Sequence, residues 1–321
     1  MMATDILLPA LPAIASELKA TELEIKYILV VYMIGFASSI LSFGILSDKY
    51  GRKPCIKVSL AIFLLATLLC CLVTDVYQLI GLRFLQAFGA GSMTVLVRAV
   101  IRDCYDETTS VVVLSTMSAV MTLSTLFAPL IGSLLFEQFG WRMILGFLIA
   151  MVLLVSLFIE KQLPNSTISN KNLNLLDWRY FGKLAKQAWQ SKPFVGYTLI
   201  ISLIWSAFFC FVVESSFLFQ NVFGLNSTVF AVFFSIISVG YMVGSITARK
   251  LIVRHRSDKL ILLGLSLATV SMLIGCLLLW VLFNPYVVLV ATFVFLAGCG
   301  MIVPNCQSRS LAQFHDNIGF Y

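Results

Sequence analysis

Charge is scarce in this chain. Only 12% of its 321 residues are Asp, Glu, Lys or Arg, while 60% are hydrophobic. A soluble domain is about a quarter charged and under half apolar, so an ordinary aqueous surface is excluded. Histidine is almost missing, with 2 residues, and the 8 cysteines form no C-x-x-C pair. Metal binding is therefore not expected, and the cysteines read as small buried hydrophobes. No nucleotide-binding loop and no nucleophile–base constellation occurs. The expectation is a protein that is not an enzyme, carries no cofactor or metal, and draws energy from an ion gradient rather than ATP.

What is present is long apolar sequence. A membrane-spanning helix needs roughly 20 predominantly apolar residues. Ten such runs occur, one of them short, at 1–15, 25–46, 55–73, 76–97, 109–136, 143–159, 194–219, 228–248, 260–283 and 286–307. The fold class expected is an all-α membrane protein with the lipid bilayer as a partner. The net charge of +7 is not a nucleic-acid footprint, because the bases sit at the ends of the runs. If the loop holding Lys49 is cytoplasmic, the 22 Lys and Arg residues fall on cytoplasmic segments, except for Lys19, Lys26, Arg142 and the intramembrane Arg83. That asymmetry orients the chain with its central stretch inside.

The polar stretch after the sixth run divides the chain. The expected organisation is an N-terminal bundle over 1–160 (spans 1–6, the first incomplete), a cytoplasmic central loop over 161–192, and a partial C-terminal bundle over 193–321 (spans 7–10). Faint internal echoes point to duplication. Gly44 with its following residues sits like Gly244, and Gly89-Ala-Gly91 sits like Gly298-Cys-Gly300. Repeated halves are a common transporter plan. As one helix, the first run reaches only about 24 Å, short of the roughly 30 Å hydrocarbon core. The chain ends soon after the tenth run, so the sequence reads as a fragment or a frame shortened at both ends.

Three motifs carry a family resemblance. Gly44-Ile-Leu-Ser-Asp48-Lys49-Tyr-Gly51-Arg52-Lys53 is a charged stretch between two apolar runs. It resembles the signature loop of the major facilitator superfamily. Asp5-Ile-Leu-Leu-Pro9-Ala-Leu-Pro12 and Arg83-Phe-Leu-Gln86-Ala87-Phe-Gly89-Ala90 resemble the first- and fourth-helix motifs of its Bcr/CflA drug:proton antiporter branch. Leu7 and Ala87 depart from that branch's tyrosine and glycine. Ala128-Pro129-Leu-Ile-Gly132-Ser133 resembles the fifth-helix antiporter motif with two of its glycines replaced, and Pro304-Asn305 matches the tenth-helix pattern. The resemblance implies two six-helix repeats, of which about ten helices are present. It also implies alternating access, a monomer in the inner membrane, and proton-driven export of small, often amphipathic compounds. The alternatives are a metabolite or siderophore exporter of the same fold, and a truncated inactive relic or non-transport membrane protein.

Individual residues carry distinct expectations. Asp5 is a carboxylate within an apolar run, costing on the order of 2.5–3.5 kcal/mol on insertion scales unless it meets water or a partner. Desolvation raises a carboxylate's proton affinity, which suits proton coupling, although a solvated, frayed N-terminus is the plain alternative. Arg83 is the only base well inside a run, and the resemblance assigns such an arginine to proton coupling. With Gln86, Ala87, Ala90 and Thr94 it forms a polar or small stripe at helical spacing, suited to a cavity or a helix contact. Ser115, Ser118, Thr122 and Thr125 make a similar stripe on the fifth run, where Pro129 and Gly132 favour a bend or close approach. Glu214 lies about 30 Å along its helix from Pro193, which reads as a rim position with cationic-substrate contact as the alternative. The resemblance gives Asp48 a latch role at the start of an eleventh helix, alongside setting topology.

Overall fold

In the computed structural model, residues 2–162, 189–252 and 256–315 are described. Most of the expected central loop, 161–192, lies outside them. Among the described residues there is no β-strand. Nine helices among the described residues are long and apolar enough to cross a membrane. They are α3 (Glu22–Tyr50), α4 (Arg52–Cys70), α5 (Val76–Cys104), α6 (Glu107–Phe139), α7 (Trp141–Gln162), α8 (Lys192–Phe217), α9 (Ser227–Leu251), α10 (Ser257–Leu282) and α11 (Pro285–His315). Each covers one of the longer apolar runs. Large aliphatic side chains such as Leu41, Leu65, Leu203 and Leu277 stand exposed along them. In water that surface would drive aggregation, whereas in lipid it needs no cover.

The helices begin where the sequence offers caps. Thr21 and Glu24 form a reciprocal capping box ahead of α3, with Thr21 N donating to Glu24 Oε2 at 2.8 Å. Asp75, Asp106 and Asn226 accept the first free backbone N–H groups of α5, α6 and α9. Each such cap contributes about 1 kcal/mol.

The first run departs from expectation. It is not one helix but three short pieces: α1 (Met2–Asp5), a 3-10 turn (Leu8–Ala10) and α2 (Leu11–Glu17). Pro9 has no N–H for the Asp5 carbonyl, and Pro12 likewise has none to give, so the regular hydrogen-bond ladder cannot run through. Depths counted along a uniform helix therefore do not hold for Asp5.

The chain divides into two compact units. One comprises Met1–Ser124 and Ile131–Leu176, the other Thr125–Leu130 and Asp177–Tyr321. In the first unit α5 packs on both α3 and α4, and α4 on α7; in the second α11 packs on α8, α9 and α10. The first holds a cluster of Phe43, Cys55, Ile56, Leu60 and Leu96. The second holds Ala248, Leu260 and Met301.

The same backbone contacts recur inside each unit. A Cβ on Gly35 would meet the Phe84 carbonyl oxygen at 2.5 Å, and one on Gly240 would strike the Phe293 carbonyl. Gly91 abuts Phe36 as Gly300 abuts Tyr241, and Gly89 abuts Ser59 and Phe63 as Gly298 abuts Gly264 and Ala268. Small residues let backbones approach where no hydrophobic force draws helices together. The Gly89–Gly298 echo is thus a matching packing position. The Gly44–Gly244 echo is corrected. Gly244 abuts the Ala297 carbonyl, the position that Ser39 fills against Phe88, whereas Gly44 meets only Val95 Cγ1 at 3.9 Å. Matching glycine letters misled because the site demands only a small residue, and serine satisfies it.

Candidate functional site

The broken first segment delivers Asp5 to the interior of the first unit. Its side chain is 8% exposed, so the frayed-end alternative does not describe it. Arg83 of α5 is 1% exposed, the largest fully buried side chain among the described residues. Its Nη1 donates to the Ala3 carbonyl at 3.2 Å and to Gln86 Oε1 at 2.5 Å. Gln86, wholly buried, donates onward to Thr67 Oγ1 of α4 at 2.8 Å, and Thr67 donates to the Phe63 carbonyl at 2.6 Å. The Arg83 guanidinium lies 4.4 Å over the ring of Tyr32 from α3. The Tyr32 hydroxyl lies beside the Thr4 side chain, with Asp5 within electrostatic reach.

These groups form one buried polar chain through the first segment, α3, α4 and α5. Two of its atoms are held back from pairing. Arg83 Nε and Nη2 are buried without a hydrogen-bond partner among the described residues. A buried unmatched donor costs about 1–3 kcal/mol, more when charged. Groups kept at that cost are usual where charge or protons are handled.

Gly132 of α6 sets the position of the first segment. A Cβ there would collide with the Ile6 carbonyl oxygen and lie 2.9 Å from the Ile6 carbonyl carbon. Glycine alone permits this approach beside Asp5. Pro129 is buried within α6 one turn earlier and does not end the helix.

The other expected site residues are dispersed. Ala90 and Thr94 are half-buried further along α5 and do not bond to Arg83 or Gln86. Thr122 is exposed, and its hydroxyl donates to the Ser118 carbonyl at 3.0 Å. Thr125 is half-buried in the part of α6 that groups with the second unit. Glu214 is exposed near the end of α8.

The charged stretch at Gly44–Lys53 is not the loop it reads as. Helix α3 runs through Gly44, Asp48 and Lys49 to Tyr50, and α4 starts at Arg52, with Lys53 in its first turn. Gly51 alone makes the reversal, at φ 88°, a backbone shape that side chains disfavour. Helix propensity of the flanking residues carries both helices to the reversal. Arg52 donates to Asp48 Oδ1 at 2.5 Å, to Ser47 Oγ at 2.5 Å, and to Asp103 Oδ2 at 3.1 Å. Asp48 therefore pairs within its own unit, and Asp103 joins α5 to the same arginine.

Three groups went unrecognised in the sequence. Tyr32 and Thr67 lie in apolar runs, where one hydroxyl looks like any lipid-interface or helix-packing residue. Their only signal is helical phase, and phase cannot name the facing helix. The third is a clasp at the far end of the same unit. Arg142 Nη1 donates to Glu17, while its Nε and Nη2 reach the Cys71 and Val73 carbonyls at 3.2 Å each. Trp141 Nε1 donates to the same Glu17 at 2.7 Å. The Arg142 and Trp141 hydrogen bonds hold the Glu17 carboxyl below its usual range. In the second unit, Asp258 similarly accepts from Tyr197 at 3.1 Å and Arg309 at 3.2 Å.

An apolar groove of about 460 Å³, lined by Leu69, Leu72, Val73, Tyr77, Gln78, Gly81 and Leu82, opens beside α4 and α5. It holds none of the polar chain. Among the described residues no group of His, Cys, Asp and Glu could hold a metal.

Membrane-length helices, glycine contacts that match within each of two units, and a carboxylate and a guanidinium buried inside the first define a multi-pass helical membrane protein. The Major Facilitator Superfamily family model matches residues 1–319, and the chain belongs to that superfamily. It is 34% identical over 169 residues to the multidrug resistance protein MdtL of Citrobacter koseri, covering 52% of this chain and 43% of MdtL. It is 26% identical over 325 residues to an uncharacterized MFS-type transporter, YdgK, of Bacillus subtilis, covering 96% of this chain and 77% of YdgK. The match thus spans less than half of the Citrobacter relative. Among solved structures, the nucleoside transporter NupG shares the fold with a TM-score of 0.73 at 14% identity, covering 99% of this chain and 81% of NupG.

Proposed function

We propose that the chain acts as a proton-coupled secondary transporter that exports small amphipathic compounds or drugs by alternating access, in the manner of Bcr/CflA drug:proton antiporters. The observation that carries this reading is the burial of Asp5 in the same polar interior as Arg83 and Gln86. That the MdtL relative is a multidrug resistance protein supports a drug-like substrate.

In this reading Asp5 is the proton carrier. Protonated, it is neutral and tolerated in a dry interior; ionised, it is stabilised by the neighbouring guanidinium. Substrate arrival from the cytoplasm or inner leaflet favours proton release, and proton capture from outside favours the return step. Gln86, Ala90, Thr94, Thr122, Thr125 and Glu214 are the candidates for contact with substrate. The bundles are 1–160 and 193–321, joined by a cytoplasmic loop over 161–192 in a monomer of the inner membrane. Asp48, Lys49, Arg52 and Lys53 then face the cytoplasm, where the Asp48–Arg52–Asp103 network restrains the inner ends of α3, α4 and α5. The test uses everted vesicles carrying the chain, with ethidium as the probe. Ethidium addition should move protons with the wild-type chain and not with Asp5→Asn. Equal responses from both would remove Asp5 from the mechanism.

A further inference from the structure

We propose that Tyr32 is a positioning residue of the proton site, its ring holding the Arg83 guanidinium so that two N–H donors stay ready for the ionised Asp5 carboxylate. This rests on the reading of Asp5 as the proton carrier. Three observations point to it. The guanidinium carbon lies 4.4 Å over the ring centroid, within the range where a cation is drawn to an aromatic face. Arg83 spends Nη1 on Ala3 and Gln86, while Nε and Nη2 form no hydrogen bond among the described residues. Tyr32 is fully buried, with its ring against Arg83 and Asp5 within electrostatic reach, so it stands close to both partners of the coupling pair.

The geometry explains how a buried arginine can wait for a carboxylate. A guanidinium presents its donors in one plane, in a fork suited to a carboxylate. Held 4.4 Å over an aromatic ring, it keeps its positive charge stabilised without using a donor. The ring thus holds the cation, Ala3 and Gln86 fix one corner, and Nε and Nη2 stay open. The charged and titratable groups gathered here are Asp5 from the first segment, Tyr32 from α3, Cys70 from α4 and Arg83 from α5. The inference concerns the Tyr32 ring and not its hydroxyl, which lies beside the Thr4 side chain.

The experiment is infrared difference spectroscopy of the purified full chain, following the C=O stretch of protonated carboxyl groups against pH. Loss of a band in Asp5→Asn assigns that band to Asp5. Tyr32→Phe and Tyr32→Trp keep the aromatic face and should leave the Asp5 midpoint in place. Tyr32→Leu removes the face, the guanidinium is no longer held, and the carboxylate loses stabilisation. Its midpoint should move up by about one pH unit, a tenfold gain in proton affinity. If Tyr32→Leu does not fold, Tyr32→Met takes its place with the same expectation. A ring-free variant with the wild-type midpoint overturns the inference while leaving Asp5 as the carrier. A Tyr32→Phe shift as large as that of the ring-free variant overturns it too, by assigning the effect to the hydroxyl. If no Asp5 band titrates between about pH 4 and pH 10, the proton-carrier reading falls and takes the inference with it.

Discussion

Gly132→Ala should be among the most damaging single-methyl changes in this protein. The added Cβ would strike the Ile6 carbonyl oxygen and lie 2.9 Å and 3.2 Å from the Ile6 carbonyl carbon and Cα. The obstacle is backbone, so no side chain can rotate away. Either α6 or the first segment must move, and Ile6 is bonded directly to Asp5. Overpacking of this kind costs about 1–3 kcal/mol, and a backbone obstacle puts it at the upper end. A loss of about 3 kcal/mol is more than a hundredfold in an equilibrium constant. Gly81→Ala provides the internal control. Its Cβ meets nothing within 4 Å, and helix propensity favours alanine by about 0.8–1.0 kcal/mol. Melting of the detergent-purified variants, followed by loss of the monodisperse peak, should place Gly132→Ala several degrees below wild type and Gly81→Ala at or above it. Any proton-linked response should fall with Gly132→Ala, because Asp5 moves with Ile6. If both alanine variants melt alike, the close approach of α6 to the first segment does not exist as described.

Thr67→Val leaves the buried Gln86 amide without its acceptor and should cost about 1–3 kcal/mol in melting assays, with Thr67→Ser recovering most of it. Arg52→Ala leaves Asp48 and Asp103 without their shared cation and should destabilise by about 1 kcal/mol in the same assay. Arg52→Lys should recover only part, since a single ammonium cannot reproduce the guanidinium fork. Glu17 has its carboxyl held below the ordinary value of 4.5 by Arg142 and Trp141. The clasp therefore contributes fully above that ordinary value and is lost as pH falls through the lowered one. Both partners are partly exposed, so Glu17→Gln should cost only about 0.2–1 kcal/mol near pH 7. Its melting curve should converge on wild type in strong acid, and a gap independent of pH would contradict the clasp.

Much of this molecule was legible in the sequence for one reason. Lipid removes the competition between water and backbone, so a long apolar run has to become a helix. The nine longer runs each became one, with ends set by Thr21, Asp75, Asp106 and Asn226. Two proline positions were also visible, and Pro9 and Pro12 account for the broken first segment once the missing N–H groups are traced. Asp5, Arg83 and Gln86 stood out because polar groups in apolar runs are costly. What could not be read was which helix each would face. Tyr32 supplies a ring to Arg83 from α3, Thr67 supplies an acceptor from α4, and Gly132 admits Ile6 from α6. Such pairings depend on azimuth and height, which composition does not encode. The charged stretch failed differently. Its residues looked like a loop because they are polar, yet all except Gly51 can extend a helix, and only Gly51 at φ 88° had to leave it.

Asp5, buried in the same interior as Arg83, is the proposed carrier of the coupled proton. The most direct test adds ethidium to the purified chain in weakly buffered detergent and reads proton release with a pH indicator. Wild-type protein should release up to about one proton per molecule in the pH range where Asp5 is protonated, and Asp5→Asn should release none. Release from Asp5→Asn equal to wild type would place the coupled proton elsewhere and contradict the account.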